Sequence, residues 1–450
     1  MESHAQIVEQ LSRLGAAGPD AAVEARLLDL IVDATGVGLA GGGTRVSAQV
    51  GDLFGSSGHP WDAALTLGTR MHALDFDDTH EPSLCHTAAA LLPALFALAF
   101  DRQLAGGPLL RAYDLGLRTA AFLSPCGTAI NAAGGHSTGV VGGLASAAAC
   151  AWLLTEDPER AADAVEIASL LVSGLGVAFG TDCKPLQAGH AAEVGVRAAL
   201  LAETGVSCPR SGPFGPRGLF SLWLGPGAPE PRWGTDGTGA AFDVAVKPYP
   251  SCFLTHGSID AMLELRPQLE GAEAVERVEL TVSPMADALA NKTVLASPND
   301  AKFSLRYCTL AALTEGRVTL DTFAPTVQQH LAGRHEEWAR WSSRVEVRAE
   351  SGVPVVACEL RVRTVDGRTL HAATTAQRGS PGRPLSRREI VDKFIANAAT
   401  AVGTDATGRL LDALWALPGT PNVARSEEIA AACGTGPLWS RAAGLVPAGR

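Results

Sequence analysis

Apolar residues recur at three- and four-residue spacing through the first two hundred positions, and that period predicts helices. They are expected over 5–15, 20–40, 62–78, 88–101, 107–123, 134–154, 159–178 and 180–205. In the second, Leu27, Leu28, Leu30, Ile31 and Val32 make a broad apolar face. Gly36 to Gly43 reads as a helix end and loop, not a phosphate loop, because neither GxxxxGK[ST] nor a preceding strand is present. Between 206 and 245 the period fades among Pro, Gly and Trp, which marks a long connection. The pattern then alternates at period two in 276–283, 344–349 and 355–363, so these are strands. The pair 355–363 and 368–375 flanks Asp366-Gly367, a hairpin signal. Helices near 258–266, 300–314 and 323–331 are interleaved, giving an α+β unit over 246–385. From Ser386 helices return over 386–400 and 405–417, and the last few residues are expected to fray.

Composition narrows this outline. A length of 450 residues exceeds one ordinary core, so about two or three domains are expected. Hydrophobic content of 46% with only 5% aromatic residues describes a core of Ala, Leu, Val and Gly, where helices approach closely. A net charge of −11 argues against nucleic acid and anionic membranes, but not against a small anion in a local cationic pocket. Nine scattered cysteines without a CxxC pair favour a reducing, cytoplasmic home over disulfides or a metal cluster. The start, MESHAQIVEQLSRLG, has no apolar signal region, and the runs 87–100 and 138–154 read as buried helices rather than membrane spans.

The densest chemistry lies in HALDFDDTHEPSLCHTA, 72–88, with three histidines and three aspartates. A helix over 62–78 would set His72, Asp75 and Thr79 on one face, with a break at Pro82 and a restart after His86. His86, His136, Lys184 and His256 each stand just ahead of a predicted helix. Helix N-termini offer unpaired N–H donors and partial positive charge, so several converging on one place suit a di- or tricarboxylate. Asp75, between Leu74 and Phe76, is a candidate general base; Asp77 and Asp78 read as helix-end or ion-pair residues. Tyr307 is a candidate substrate hydrogen-bond donor or a core tyrosine, and Lys247 a candidate carboxylate clamp. Cys252 is a candidate contact or a packing residue.

Five dispersed stretches, HALDFDDTH (72–80), GHSTGVVG (135–142), KPLQAGHAA (184–192), KPYPSCFLTH (247–256) and SPNDAKFSLRY (297–307), resemble signature segments of the MmgE/PrpD family. That family includes 2-methylcitrate dehydratase, cis-aconitate decarboxylase and an iminodisuccinate epimerase. The resemblance implies a large all-α domain from 1–245 and 386–450, with the α+β segment 246–385 inserted as a lid. It also implies a homodimer and no metal or organic cofactor. Active-site positions carried over by motif are Asp75, Thr79, His86, His136, Lys184, Lys247 and Tyr307. The decarboxylases resemble KPYPSC but place a histidine where Cys252 stands, which favours dehydration or epimerisation.

These chemistries share a carbanion next to a carboxylate, met by placed cations and N–H dipoles. For dehydration, Asp75 or His86 takes the α-proton and His136 or Lys184 protonates the departing hydroxyl. Thr79, Lys247, Cys252, His256 and Tyr307 are then substrate contacts. The expectation is a lyase acting on a hydroxy polycarboxylate of the 2-methylcitrate kind. An epimerase or decarboxylase on a related acid is the alternative, and a non-catalytic scaffold the reading from another class. An iron–sulfur hydratase lacks the three neighbouring cysteines it needs.

Overall fold

The computed structural model describes residues 2–16, 18–324 and 335–433. The protein is mainly α with an α+β unit, in two compact units. Unit 1 contains the residues up to Ala178, Asp182–Val246 and the described residues from Ser386 onward; unit 2 contains Lys247–Leu385 with Phe179–Thr181.

In unit 1 the long helices are Ala21–Gly41, Pro60–His72, Thr87–Asp101, Gly106–Phe122, Ser137–Thr155, Cys183–Glu203 and Arg387–Val402. Several begin on side chains that satisfy the first free N–H groups: Asp20 caps Ala22 and Val23, and Ser386 forms a capping box with Glu389. Ser137–Thr155 is long and apolar enough to cross a membrane by length and composition. Most of it is buried inside the unit, as a core helix.

Small residues set how closely these helices pack. A Cβ built on Gly189 would lie 2.3 Å from the Leu65 carbonyl oxygen, and one on Gly68 would lie 2.8 Å from the Gly189 Cα. Helices Pro60–His72 and Cys183–Glu203 therefore touch backbone to backbone. About one turn from that contact, at ~1.5 Å rise per residue, the C-terminal end of the first meets the N-terminal turn of the second.

Several helix boundaries differ from expectation. The helix expected over 62–78 stops at His72, and Asp75 adopts a left-handed backbone with φ +53°. The shared-face argument for His72, Asp75 and Thr79 therefore fails, and loop geometry aims them instead. The helix expected over 159–178 ends at Ala168, and Ser169 to Ala178 continues as turns that expose Leu170, Leu175 and Val177. The short helices Arg45–Phe54, Ser124–Ala132, Leu219–Leu224 and Glu427–Cys433 were not anticipated.

In unit 2 a four-stranded sheet runs in the order Val345–Ala349, Val275–Val282, Cys358–Thr364, Thr369–Thr374. The first pair is parallel and the others antiparallel, and the last two strands form the hairpin around Asp366-Gly367. Val278, Leu280, Val282, Leu360 and Val362 turn inward onto Ile259, Met262 and Tyr307, as period-two alternation requires. The helix expected over 300–314 is two, Pro298–Lys302 and Leu305–Glu315, each started by its own serine cap. A short turn, Asp321–Phe323, precedes the helix expected over 323–331; from 325 onward that helix lies outside the described residues. The fraying expected of the last residues lies outside them as well.

Gly189→Ala tests the close helix contact. Chain unfolding in urea is expected to show a loss of about 1–3 kcal/mol from overpacking. Gly51→Ala, whose added methyl group meets nothing within 4 Å, serves as the control and should not lose stability.

Candidate functional site

The loop from Ala73 to His86 carries most of the site, and three contacts fix it. Its far end pairs with the chain before unit 2, Thr79 opposite Ala245 and His80 opposite Val244. Its middle is held from the C-terminal part of the chain: Lys393 donates to the Phe76 carbonyl at 2.8 Å, its Nζ lies 3.9 Å from the Phe76 ring centroid, and it pairs with buried Asp33 at 2.8 Å. Its base is the Asp78 carboxylate, which accepts from the Thr87 hydroxyl at 2.7 Å and the Ala88 N–H at 3.0 Å. Asp78 thereby caps the helix Thr87–Asp101. Burial and neighbouring Asp77 push its pKa up to about 7, against the pull of those two donors.

Lys184 reaches into this loop from the first turn of Cys183–Glu203, one residue inside the helix rather than ahead of it. Its Nζ lies 2.7 Å from His72 Nε2 and 3.1 Å from Asp75 Oδ1. His72 Nδ1 lies 2.9 Å from both Asp77 carboxylate oxygens. An ammonium only donates and a carboxylate only accepts, so Nδ1 carries the His72 proton and Nε2 receives Lys184. The result is a buried chain of Asp77, His72, Lys184 and Asp75. Asp75 holds its end of it from a backbone conformation that few non-glycine residues adopt, a kind of strain found at functional sites.

His86 and His136 complete the cluster, each the residue before a helix start. His86 Nδ1 lies 2.7 Å from the Asp78 carbonyl, and Thr79 Oγ1 lies 3.4 Å from the same nitrogen. His136 Nδ1 lies 2.7 Å from Gln187 Oε1. The His72 ring centroid is 4.3 Å from that of His86 and 6.2 Å from that of His136. Burial first, then the charges of Lys184 and His72, push the His136 pKa well below the usual imidazole range. His136 is therefore a neutral ring at physiological pH, suited to accept a proton. The third histidine of the 72–88 stretch, His80, faces Ser83 at 2.7 Å, and burial lowers its pKa to about 3, a structural role.

One ring nitrogen each of His72, His86 and His136 lies within 4.8 Å of the others, and so do ligand atoms of His72, Asp75, Asp77 and His86. Such sets can hold a divalent metal. Here the Lys184 ammonium sits 2.7 Å from the His72 nitrogen that would be a ligand. A second cation beside it would meet direct repulsion, so the donor set fits an organic anion better.

The remaining sequence candidates lie in unit 2. Lys247 is fully buried, and Cys252 receives its backbone fixation from the Lys302 carbonyl at 3.0 Å. His256 is the first residue of the helix His256–Leu265, within it rather than ahead of it, and packs edge-on against Tyr249 and Phe253. The Tyr307 hydroxyl donates to the Thr322 carbonyl at 2.7 Å within the unit's core. Unit 1 thus brings Asp75, Thr79, His86, His136 and Lys184 together. Asp77, read as a helix-end or ion-pair residue, pairs with His72, which the sequence had set beside Asp75 without a role; Gln187 was missed. The alternation of Asp75 and Asp77 about apolar Phe76 was a usable signal for Asp77, whereas nothing local marked Gln187.

A loop of paired acids, three imidazoles and a lysine at helix starts defines an acid/base site. The MmgE/PrpD N-terminal domain model matches residues 5–231 and the MmgE/PrpD C-terminal domain model matches 249–417. The chain belongs to the MmgE/PrpD family. It is 27% identical over 432 residues to the cis-aconitate decarboxylase of Homo sapiens, covering 85% of each chain. It is 27% identical to that of Mus musculus, covering 85% of this chain and 84% of the relative. A cis-aconitate decarboxylase-like protein of Aspergillus oryzae is 26% identical, with 81% of each chain covered.

The raised Asp78 pKa carries a sign. The folded state binds the Asp78 proton up to about pH 7, whereas an unfolded aspartate loses it near pH ~3.9. Asp78 therefore adds stability below that lower value, and the contribution fades as pH rises toward 7. Asp78→Asn should flatten this part of the profile, measured as urea midpoints at pH 5 and pH 7.5, by an amount on the order of 1 kcal/mol.

Proposed function

We propose that this protein is a cofactor-independent lyase that forms a carbanion next to a carboxylate of a small polycarboxylate. The observation that carries this is the placement of Lys184 between His72 and Asp75. One buried ammonium there can donate a proton and oppose the negative charge that develops on the substrate. The N-termini of Thr87–Asp101, Ser137–Thr155 and Cys183–Glu203 add N–H dipoles beside it. In dehydration, a base (His136, His86 or Asp75) takes the α-proton, the electron pair forms the double bond, and Lys184 protonates the departing hydroxyl as water. By the family resemblance, Lys247, Cys252, His256 and Tyr307 of unit 2 are kept as proposed substrate-binding residues, although the Tyr307 hydroxyl is engaged with the Thr322 carbonyl here.

Two substrates follow from two observations. Cys252, the one departure from the decarboxylase-like KPYPSC stretch that the family resemblance implies, favours dehydration of a hydroxy acid of the 2-methylcitrate kind. The names of the relatives favour decarboxylation of cis-aconitate, in which the C–CO2 bond breaks and Lys184 returns a proton to the allylic carbanion. We further propose that the enzyme works as a homodimer through the exposed apolar segment bearing Leu170, Leu171, Leu175 and Val177. A cytoplasmic location fits its nine cysteines, which form no disulfide among the described residues.

Incubation with 2-methylcitrate, citrate, cis-aconitate and iminodisuccinate in deuterated water separates the readings. An unsaturated product of unchanged carbon number marks dehydration, released CO2 marks decarboxylation, and deuterium incorporation without either marks epimerisation. No turnover of any acid by folded protein would leave only a scaffold. Lys184→Gln is expected to lower kcat by at least about a hundredfold, with circular dichroism confirming the fold. Light scattering on the Leu175→Glu, Val177→Glu double variant should shift a dimer to monomer.

A further inference from the structure

Helix Cys183–Glu203 presents Lys184 and Gln187 three residues apart, on one face. Lys184 meets His72, and Gln187 meets His136. The orientation of the Gln187 amide is fixed independently of the histidine. Its Nε2 donates to the Leu175 carbonyl at 3.3 Å, so its oxygen faces the ring. An amide oxygen only accepts, and Nδ1 of His136 must therefore carry the hydrogen. The ring is anchored from behind as well, because the His136 backbone N–H donates to the Gly174 carbonyl at 3.1 Å. With Nδ1 committed to Gln187, Nε2 is the end of the ring left for the cluster.

We infer that Gln187 is a positioning residue that holds His136 in the Nδ1–H tautomer, so that Nε2 serves as the proton acceptor of the site. This rests on the lyase reading above and names how its base is kept ready. The charged and titratable groups facing His136 in unit 1 are Lys184 and His72, which oppose its protonation, and Asp75, which favours it; His86 lies across the cluster at 6.4 Å between ring centroids. Burial opposes protonation further, and the single neutral acceptor Gln187 opposes these only slightly. A glutamine at this position orients the ring without charging it. A glutamate would orient it equally and hold the imidazolium as well.

Gln187→Glu and Gln187→Leu test this through the pH profile of kcat/KM on whichever acid is turned over. The glutamate variant is expected to move the acid limb upward by about one pH unit or more and to reach a plateau of its own at alkaline pH. The leucine variant should lose roughly tenfold or more across the whole range, since the ring no longer favours one tautomer. Selective 15N-histidine NMR, assigned with His136→Gln, should show His136 protonated at Nδ1 and bare at Nε2 in the wild type. Acid limbs unchanged in the glutamate variant, or a wild-type ring protonated at Nε2, would overturn the assignment. The spectrum decides the tautomer even without turnover, and a lack of turnover would count against the lyase reading instead.

Discussion

The backbone contact between Gly68 and Gly189 is the constraint on which the site rests. Any side chain there would hold the two helices further apart. At the observed distance, His72 and Lys184 meet at hydrogen-bond length one turn away, inside the unit. A lysine buried in that place would be costly alone. It is stabilised by Asp75 and by an imidazole whose other face is held by Asp77. Packing of small residues and electrostatics are thus two parts of one arrangement: the first brings Lys184 in, the second holds it between Asp75 and His72.

Around that ammonium, each histidine is set by a different acceptor. Asp77 takes the His72 proton, the Asp78 carbonyl takes that of His86, and Gln187 takes that of His136. Every ring therefore commits Nδ1, and in His72 the other nitrogen, Nε2, meets Lys184. The acceptors differ in charge, from carboxylate to carbonyl to amide. Three copies of one side chain are thereby set by three different partners within one cluster.

Much of the fold was legible because period and capping act locally. The alternation at 276–283 and the Asp-Gly turn at 366–367 define the sheet and its hairpin, and Ser386 with Glu389 starts the returning helix. The helix over 62–78 was misread because Leu74 and Phe76 extend the apolar pattern past the true end at His72. There the chain turns left-handed at Asp75, and tertiary contacts from Lys393 to Phe76 override the pattern. The site was legible as residue types at helix starts, which is a local signal. His72 and Gln187 were not, because their roles come from partners 112 and 51 positions away in sequence.

Lys393 stands 317 positions after the Phe76 carbonyl it grips. A ribosome therefore makes the loop of Asp75 and Asp77, then all of unit 2, before it makes the residue that pins that loop. Until the helix Arg387–Val402 emerges and docks, the nascent protein carries its acids and its lysine without the anchor that aims them. The loop and the residue that pins it are thus joined only after unit 2 has been made.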